Sequence, residues 1–264
     1  MRSAGRHLIL LVGLLCAVGC SSGPKPPTIP PPGPPLRVGT FADNPPIAFR
    51  QDGQLAGIEI DFARQLAPAL NRELVMVPLA RDELMPALLD GRIDAIMSGI
   101  TLPTTPQYRL AFSDPYLYTG LATLVRQSDA KLYGSPASIV NSTKPVGVAT
   151  GSDASRFAPR LSTLRLMQYP DLTGAVQALR EGQVDLVIGE AHLLGWYARQ
   201  DPSLAGIWML LNYSQLAWVF RAEDATTCAQ TNATLTWWRQ NGTLNQTLRK
   251  WLPYWPGLDF TGKQ

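Results

Sequence analysis

Two stretches of this chain repeat one another at a spacing that suits a duplicated helix-and-strand unit. Residues 82–99 read DELMPALLDGRIDAIMSG, and residues 171–190 read DLTGAVQALREGQVDLVIGE. Each opens on an aspartate suited to capping a helix, Asp82 and Asp171. Each continues with apolar residues at helical spacing (Leu84 and Leu88; Val176 and Leu179), reaches a glycine where a helix stops, and ends in a short apolar strand. Residues 91–97 thereby match residues 182–188 position by position. A strand opening on Val-Gly precedes each unit, at residues 36–40 and 145–149. The alternation predicts parallel strands joined by helices, in two similar α/β halves.

In an open α/β sheet a ligand sits beyond the carboxyl ends of the strands, where backbone groups are left unpaired over a crevice. Applied to the repeat, the rule nominates residues 40–46, 98–101, 151–154 and 189–192. If the halves face each other, these four loops line one cleft.

The amino terminus reads as an export device. Arg2 and Arg6 precede an apolar run at residues 8–15 that is too short to cross a bilayer, the pattern of a secretory signal. Ala17-Val18-Gly19-Cys20 resembles the lipobox of bacterial lipoproteins, which implies cleavage after residue 19, palmitate-type lipidation of Cys20 and a membrane anchor. Ser21 follows where an aspartate would imply inner-membrane retention, so the resemblance favours the outer membrane. Prolines 24, 26, 27, 30, 31, 32, 34 and 35 come next. Proline at this density favours extended polyproline II, so residues 20–35 are read as a tether reaching up to about 50 Å.

The formal net charge is +3, and loss of Arg2 and Arg6 with the signal leaves +1. A near-neutral chain without a clustered basic face argues against nucleic acid as a partner. Of Cys16, Cys20 and Cys228, only Cys228 survives both cleavage and lipidation, so no intrachain disulfide is expected. Five Asn-x-Ser/Thr sequons, beginning at Asn141, carry no meaning in a bacterial lipoprotein. No cofactor and no metal site is expected.

Five segments carry a family resemblance. They are RVGTFADNPPIAFRQDGQLAGIEIDFARQLA (residues 37–67), GRIDAIMSGITL (91–102), AFSDPYLYTG (111–120), VGVATGSDA (146–154) and NGTLNQTLRKWLP (241–253). In this order they are similar to family 3 extracellular solute-binding proteins, receptors for ABC importers, mostly of amino acids. The resemblance implies the two-lobed α/β fold of periplasmic binding proteins (type II clamshell), closing on its ligand about two hinge strands near residues 119–126 and 216–221. It puts lobe I at residues 36–122 and 219–264 and lobe II at 123–218, and makes an ABC transporter permease the expected protein partner.

The ligand set implied is Phe41, Asn44, Ile58, Ser98, Gly99, Ile100, Thr101, Ser152, Asp153 and Glu190. Glu190 aligns with the acidic position that relatives use for the ligand's ammonium group, a charge-assisted hydrogen bond worth about 1.5–3 kcal/mol. Ser98 to Thr101 offer backbone and hydroxyl groups. Ser152 and Asp153 match a loop that meets a ligand carboxylate, which Asp153 would repel. Asp61 reads as a helix N-cap, and Pro68 and Pro86 fall inside predicted helices. His192 and Trp196 read as packing residues without metal spacing.

The chain departs from the family pattern at Pro106, where amino-acid-binding relatives carry an arginine that clamps the carboxylate. Arg109, three residues later, is a candidate to reach the cleft, but it reads first as the cation of a surface or interlobe salt bridge. Asn44 stands where relatives often present an aromatic ring, and Phe41 is near enough to substitute. Both an α-amino acid and a cationic amine, held by Glu190 against Phe41, remain open as ligands. Two other functions also stay open. One is a cyclohexadienyl dehydratase-like enzyme of the same fold, against which stand Leu193, at the place of the catalytic glutamate, and the missing arginine. The other is a sensory or partner-binding module. Trp237, Trp238, Trp251 and Trp255 are read as core packing rather than a sugar-stacking surface.

Overall fold

Leu36 and Val38 are fully buried, and the last residues of β1 (Gly33–Thr40) are covered on both faces, as in the middle of a parallel sheet. The coordinates are a computed structural model and describe residues 32–161 and 165–253. The signal, Cys20 and most of the proline stretch lie outside the described residues, as does Trp255. The strand starts at Gly33, within the segment read as tether, because Gly33 pairs with Arg72. The Arg72 guanidinium also takes the carbonyls of Pro34 and Pro35, each at 2.7 Å.

After β1 come β2 (Asp43–Asn44), β3 (Ala48–Gln51), β4 (Gln54–Ala56), α1 (Ile58–Ala69), β5 (Arg72–Pro78), α2 (Leu84–Leu89), β6 (Ala95–Thr101), β7 (Leu110–Phe112) and β8 (Leu117–Thr119). The second half holds β9 (Leu121–Arg126), α3 (Pro136–Val140), β10 (Pro145–Ala149), α4 (Asp153–Phe157), β11 (Arg165–Tyr169), α5 (Leu172–Arg180), β12 (Leu186–Glu190), α6 (Ala191–Gln200) and β13 (Leu204–Ile207). The chain then returns as β14 (Ser214–Arg221), α7 (Ala225–Asn241) and α8 (Thr243–Trp251). One sheet has the order β5-β1-β6-β14-β7 with β8 also on β14, and the other has the order β11-β10-β12-β9-β13. A small sheet of β2, β3 and β4 stands apart.

The repeat read from the sequence is a repeat of register. Val38 pairs with Ala95 and Gly39 with Ile96, while Val146 pairs with Leu186 and Gly147 with Val187. Gly91 and Gly182 end the two helices with φ of 72° and 74°, a left-handed conformation that glycine enters without a Cβ penalty. The structure extends the repeat to a third element in each half. Arg221, at the end of β14, donates to Leu88 O (3.0 Å) and Ile93 O (2.6 Å) and reaches Asp94 at 3.4 Å. Arg126, at the end of β9, donates to Leu179 O (3.0 Å) and Val184 O (2.8 Å) and pairs with Asp185. These partners occupy equivalent positions in the two halves. Each arginine also pairs with an aspartate three residues on, Asp224 and Asp129. The carbonyls at a helix end lack an intrahelical donor and carry its negative pole, so a guanidinium answers both needs. Burial alone would raise the Asp94 carboxyl. The hydrogen bonds of Arg37 and the charges of Arg37 and Arg72 outweigh it and hold that group below the usual carboxylate range.

The chain crosses between the sheets twice. The first crossing is Gly120, between β8 and β9, and the second is residues 208–213. Leu121 N donates to Asn212 Oδ1 and Leu211 N to Leu121 O, both at 2.7 Å. A Cβ at Gly120 would fall on the Asn212 carbonyl. Residues 216–221, expected as the second hinge, lie wholly within the first sheet. Leu216 pairs with both Leu117 and Thr101 there, so residues 214–218 go with the first lobe.

Two helix starts differ from expectation. Helix α1 begins at Ile58 rather than after Asp61, because Ile58 N and Glu59 N find the carbonyls of Pro46 and Ile47 at 2.9 and 3.0 Å. Asp61 instead takes Lys250 Nζ at 2.6 Å and Trp251 Nε1 at 2.8 Å. Helix α2 begins at Leu84 behind Glu83, not behind Asp82. The ring of Pro86 clashes with a helical carbonyl four residues back, and a start at Leu84 puts the missing N–H among first-turn donors that have no acceptor anyway. Asp171, with no proline after it, caps α5 as expected by accepting Gly174 N at 2.8 Å. Pro68 sits in the last turn of α1. Trp238 is buried and stacked on Phe62 at 5.7 Å, whereas Trp237 is exposed and is not a core residue.

Replacing Arg126 or Arg221 by methionine keeps most of the volume and removes the donors. Each change should lower the unfolding free energy by about 2–4 kcal/mol, since charged acceptors lose their partners in partly buried positions. Urea titration of each variant measures it. A loss below about 1 kcal/mol in both would show that the clamp does not hold its own half together.

Candidate functional site

The carboxyl ends of the strands gather the loops nominated from the sequence. On the first lobe, β1 ends at Thr40 and Phe41 follows. Phe41 N donates to Ser98 Oγ at 2.9 Å, which fastens the loop after β1 to the end of β6. Gly99, with φ of 68°, bends that strand end. Its N–H goes to Glu59 Oε2 at 2.8 Å, and the Asn44 side-chain amide lies beside its Cα. Ile100 is half-buried against the apolar cluster that includes Phe41. Thr101 is exposed at the rim.

On the second lobe, Ser152 caps α4. Its hydroxyl donates to Ala149 O at 2.6 Å and accepts Ser155 N at 3.1 Å, so both its donor and one acceptor site are used within the helix start. Asp153 is paired with Arg156 and accepts the Thr101 hydroxyl of the first lobe at 3.5 Å. Glu190 ends β12 opposite Leu121, and the next residue, Ala191, donates to the Gly120 carbonyl at 2.9 Å. Glu190 therefore stands at the carboxyl end of β12, beside the first crossing. Burial raises its carboxyl above the usual range, the Asp153 carboxylate adds to that, and the charge of Arg81 pulls it back. A raised, half-buried acid beside a second acid is a place for a cation.

Two expectations, for Ile58 and Phe41, need correction, and Arg109 does not replace the missing arginine. Ile58 is fully buried in the first-lobe core, because α1 starts early and turns it inward, so it lines no cleft. Arg109 stands at the wrong end of the sheet. Leu110 pairs with Arg221, at the end of β14 remote from Thr101, and Arg109 lines a surface cavity of about 270 Å³ there with Leu89, Tyr108 and Glu223. Phe41 already has a cation over its ring, Arg81, with the guanidinium carbon 4.8 Å from the centroid. Pro106 is exposed. His192 is buried with Nδ1 3.4 Å from Thr119 Oγ1, and burial pushes its pKa down to about 4, so it is neutral. Trp196 packs edge-on against Phe49 of the other lobe at 5.1 Å.

Two residues at this site were not singled out from the sequence. Arg81 lies after the carboxyl end of β5, a strand of the same parallel sheet, and Leu79 N of that loop donates to Thr40 O at 3.0 Å. The strand-end rule reaches it once β5 is counted as the third parallel strand. Glu59 is fully buried behind Gly99. It occupies the same helical stripe as Phe62, Ala63 and Leu66, and an acid in an apolar stripe was the available signal. The Tyr116 hydroxyl and Trp218 indole N–H face its carboxyl without closing to hydrogen-bond geometry.

Residues 36–254 match the bacterial extracellular solute-binding proteins, family 3. The cyclohexadienyl dehydratase of Pseudomonas aeruginosa is 29% identical over 226 residues, 84% of each chain. The L-cystine-binding protein TcyJ of Escherichia coli is 25% identical over 229 residues, 86% of this chain and 84% of that one. Among solved structures, an ancestral cationic amino acid solute binding protein superimposes with a TM-score of 0.75 at 28% identity, covering 82% of this chain and 95% of that one.

Burial lifts Glu59 from 4.5 to about 8, against the smaller opposing effects of Tyr116, the Gly99 N–H and Trp218. Across that window the folded protein binds more protons at Glu59 than the unfolded chain does. Its contribution is therefore complete below the unfolded value and lost as pH rises through the folded one. Glu59→Gln keeps an acceptor for Gly99 and removes the titration. The melting-temperature difference, variant minus wild type, should grow in the variant's favour from about pH 5 to about pH 9. His192 acts in the opposite sense below its ordinary value of 6.5 but is common to both proteins and cancels. A difference independent of pH would mean that Glu59 is already ionised.

Proposed function

Because this chain belongs to the bacterial extracellular solute-binding proteins of family 3, we propose that it captures a small amine-bearing or amino-acid-like solute between its lobes and delivers it to the permease of an ABC importer. Its fold is the two-lobed type II fold of periplasmic binding proteins. The observation that carries the ligand class is Glu190, held beside Asp153 at the carboxyl end of β12 in a partly desolvated position. A carboxylate in that setting gains more from an ammonium than it would in water, because the pair is formed where solvent competes less. The names of relatives that bind L-cystine and cationic amino acids support the same class.

The dehydratase relative supports catalysis as a second reading. Elimination of a hydroxyl needs an acid to protonate it. Leu193, at the place of the catalytic glutamate in the enzymes of this fold, has no proton to give. Glu190 is the acid at the carboxyl end of β12 that could serve. Incubation with a hydroxylated cyclohexadienyl acid separates the readings: turnover that disappears in Glu190→Gln would make the protein an enzyme.

Family 3 proteins are exported, and the cell-envelope site proposed here includes anchoring through Cys20, with the outer membrane as the favoured leaf. Cys20→Ser should release the protein into the soluble envelope fraction and abolish incorporation of labelled palmitate. Unchanged fractionation and labelling would remove the anchor from this reading.

Glu190→Gln should weaken binding of an amine or amino acid by about 10- to 100-fold, the equivalent of one charge-assisted hydrogen bond. The empty variant should melt at the wild-type temperature or above, since its carboxylate sits raised and without an ion pair. For wild type, affinity should fall as pH is lowered through the carboxylate range, because protonated Glu190 offers no charge. Calorimetry and thermal melts measure all three, and a marked loss of melting temperature in the empty variant would make Glu190 structural.

A further inference from the structure

We infer that Arg81 is the anion-binding residue of the cleft, so that the solute carries a carboxylate for Arg81 of the first lobe as well as an amine for Glu190 of the second. The inference rests on the solute-capture reading and narrows its ligand from any amine to an amino carboxylate.

Four observations carry it. Arg81 lies on the loop that leaves the carboxyl end of β5, at the same end of the sheet as Thr40, Ser98 and Gly99. Its guanidinium is held over the Phe41 ring at 4.8 Å. A cation over a ring is held there without using a hydrogen-bond donor, so the guanidinium keeps its N–H fork, which matches a carboxylate, for a ligand. Among the described residues no carboxylate lies within 4 Å of it, whereas Arg37, Arg72, Arg126 and Arg221 are each paired with one. Finally, its charge is felt by Glu190, which stands on the other lobe. An exposed arginine is ordinarily a mobile chain in water. One held over an aromatic ring, without an ion pair among the described residues and near enough to an acid of the other lobe to act on its charge, is preorganised for a ligand that bears both charges.

The alternatives on the molecule are weaker. Arg109 is at the far end of the sheet, and Arg156 is committed to Asp153 and the Gly151 carbonyl. Among the described residues Arg81 is thus a guanidinium at the carboxyl ends of the strands that no ion pair occupies.

The test uses three pairs of probes that differ only by the carboxylate: L-arginine and agmatine, L-lysine and cadaverine, L-histidine and histamine. Binding is measured by calorimetry on the wild type, Arg81→Gln and Arg109→Gln. In wild type at least one amino acid should bind 10-fold or more tightly than its decarboxylated partner. Arg81→Gln should erase that preference by weakening the amino acid alone, while the amine holds its affinity or gains, since a neighbouring cation has been removed. Arg109→Gln should leave both unchanged. Equal binding of acid and amine by the wild type overturns the inference, as does a parallel loss of both in Arg81→Gln. If amines bind through Glu190 and Arg81 has no effect, the solute-capture reading stands and this one fails. If no probe binds, both fail.

Discussion

The structure depends on one interaction used twice, an arginine at the end of a returning strand that binds the carbonyl end of a helix and the aspartate beyond it. Arg126 and Arg221 each close a parallel α/β unit with an antiparallel strand. They do so at the end of the strand remote from the ligand loops. The near end of β14 pairs with Thr101, and the near end of β9 pairs with Glu190. Each clamp therefore anchors a strand whose other end carries site chemistry. The strands β9 and β14 are also those that follow the two crossings, Gly120 and residues 208–213.

At the site itself, polar groups are first used to hold the loops and only then offered outward. The Ser98 hydroxyl is occupied by Phe41 N, Gly99 N by Glu59, and the Ser152 hydroxyl by its own helix. Holding Gly99 requires an acid in the first-lobe core, where a charge is costly, and Glu59 responds by keeping its proton to a higher pH than an exposed glutamate would. Stability is given up there to fix a loop, a common arrangement where function needs a loop held rigid.

The repeat was legible because two parallel units share a period, a terminating glycine and an aspartate at equivalent positions. Its third element was equally present in the letters, as LATLVRQSD at residues 121–129 and LAWVFRAED at 216–224. It was hidden by chain order: the closing strand precedes its unit in the second lobe and follows it in the first, which is the consequence of the two crossings. The misreadings share a cause of another kind. A local helix rule makes Asp61 an N-cap and the family resemblance puts Ile58 in the cleft, yet the helix is started by carbonyls of Pro46 and Ile47 that only the folded chain brings near. Arg109 is close to Pro106 along the chain, but the direction of β14 takes it to the end of the sheet remote from Thr101. Arg81 was missed because only four of the parallel strand ends were counted.

As proposed, Arg81 on one lobe and the raised acid Glu190 on the other would define specificity through what they do to the wrong ligand. A simple amine satisfies Glu190 and leaves Arg81 facing it as a like charge in a narrowing, drying space. A simple carboxylate does the converse beside Glu190 and Asp153. In either case closing the cleft strands a charge, and an unpaired charge removed from water is penalised far more heavily than a missing contact. A solute bearing both charges is the one for which closure removes both penalties at once. The near-neutral net charge of the chain fits that proposal, in which discrimination would be made by two opposed groups rather than by a field over the whole surface.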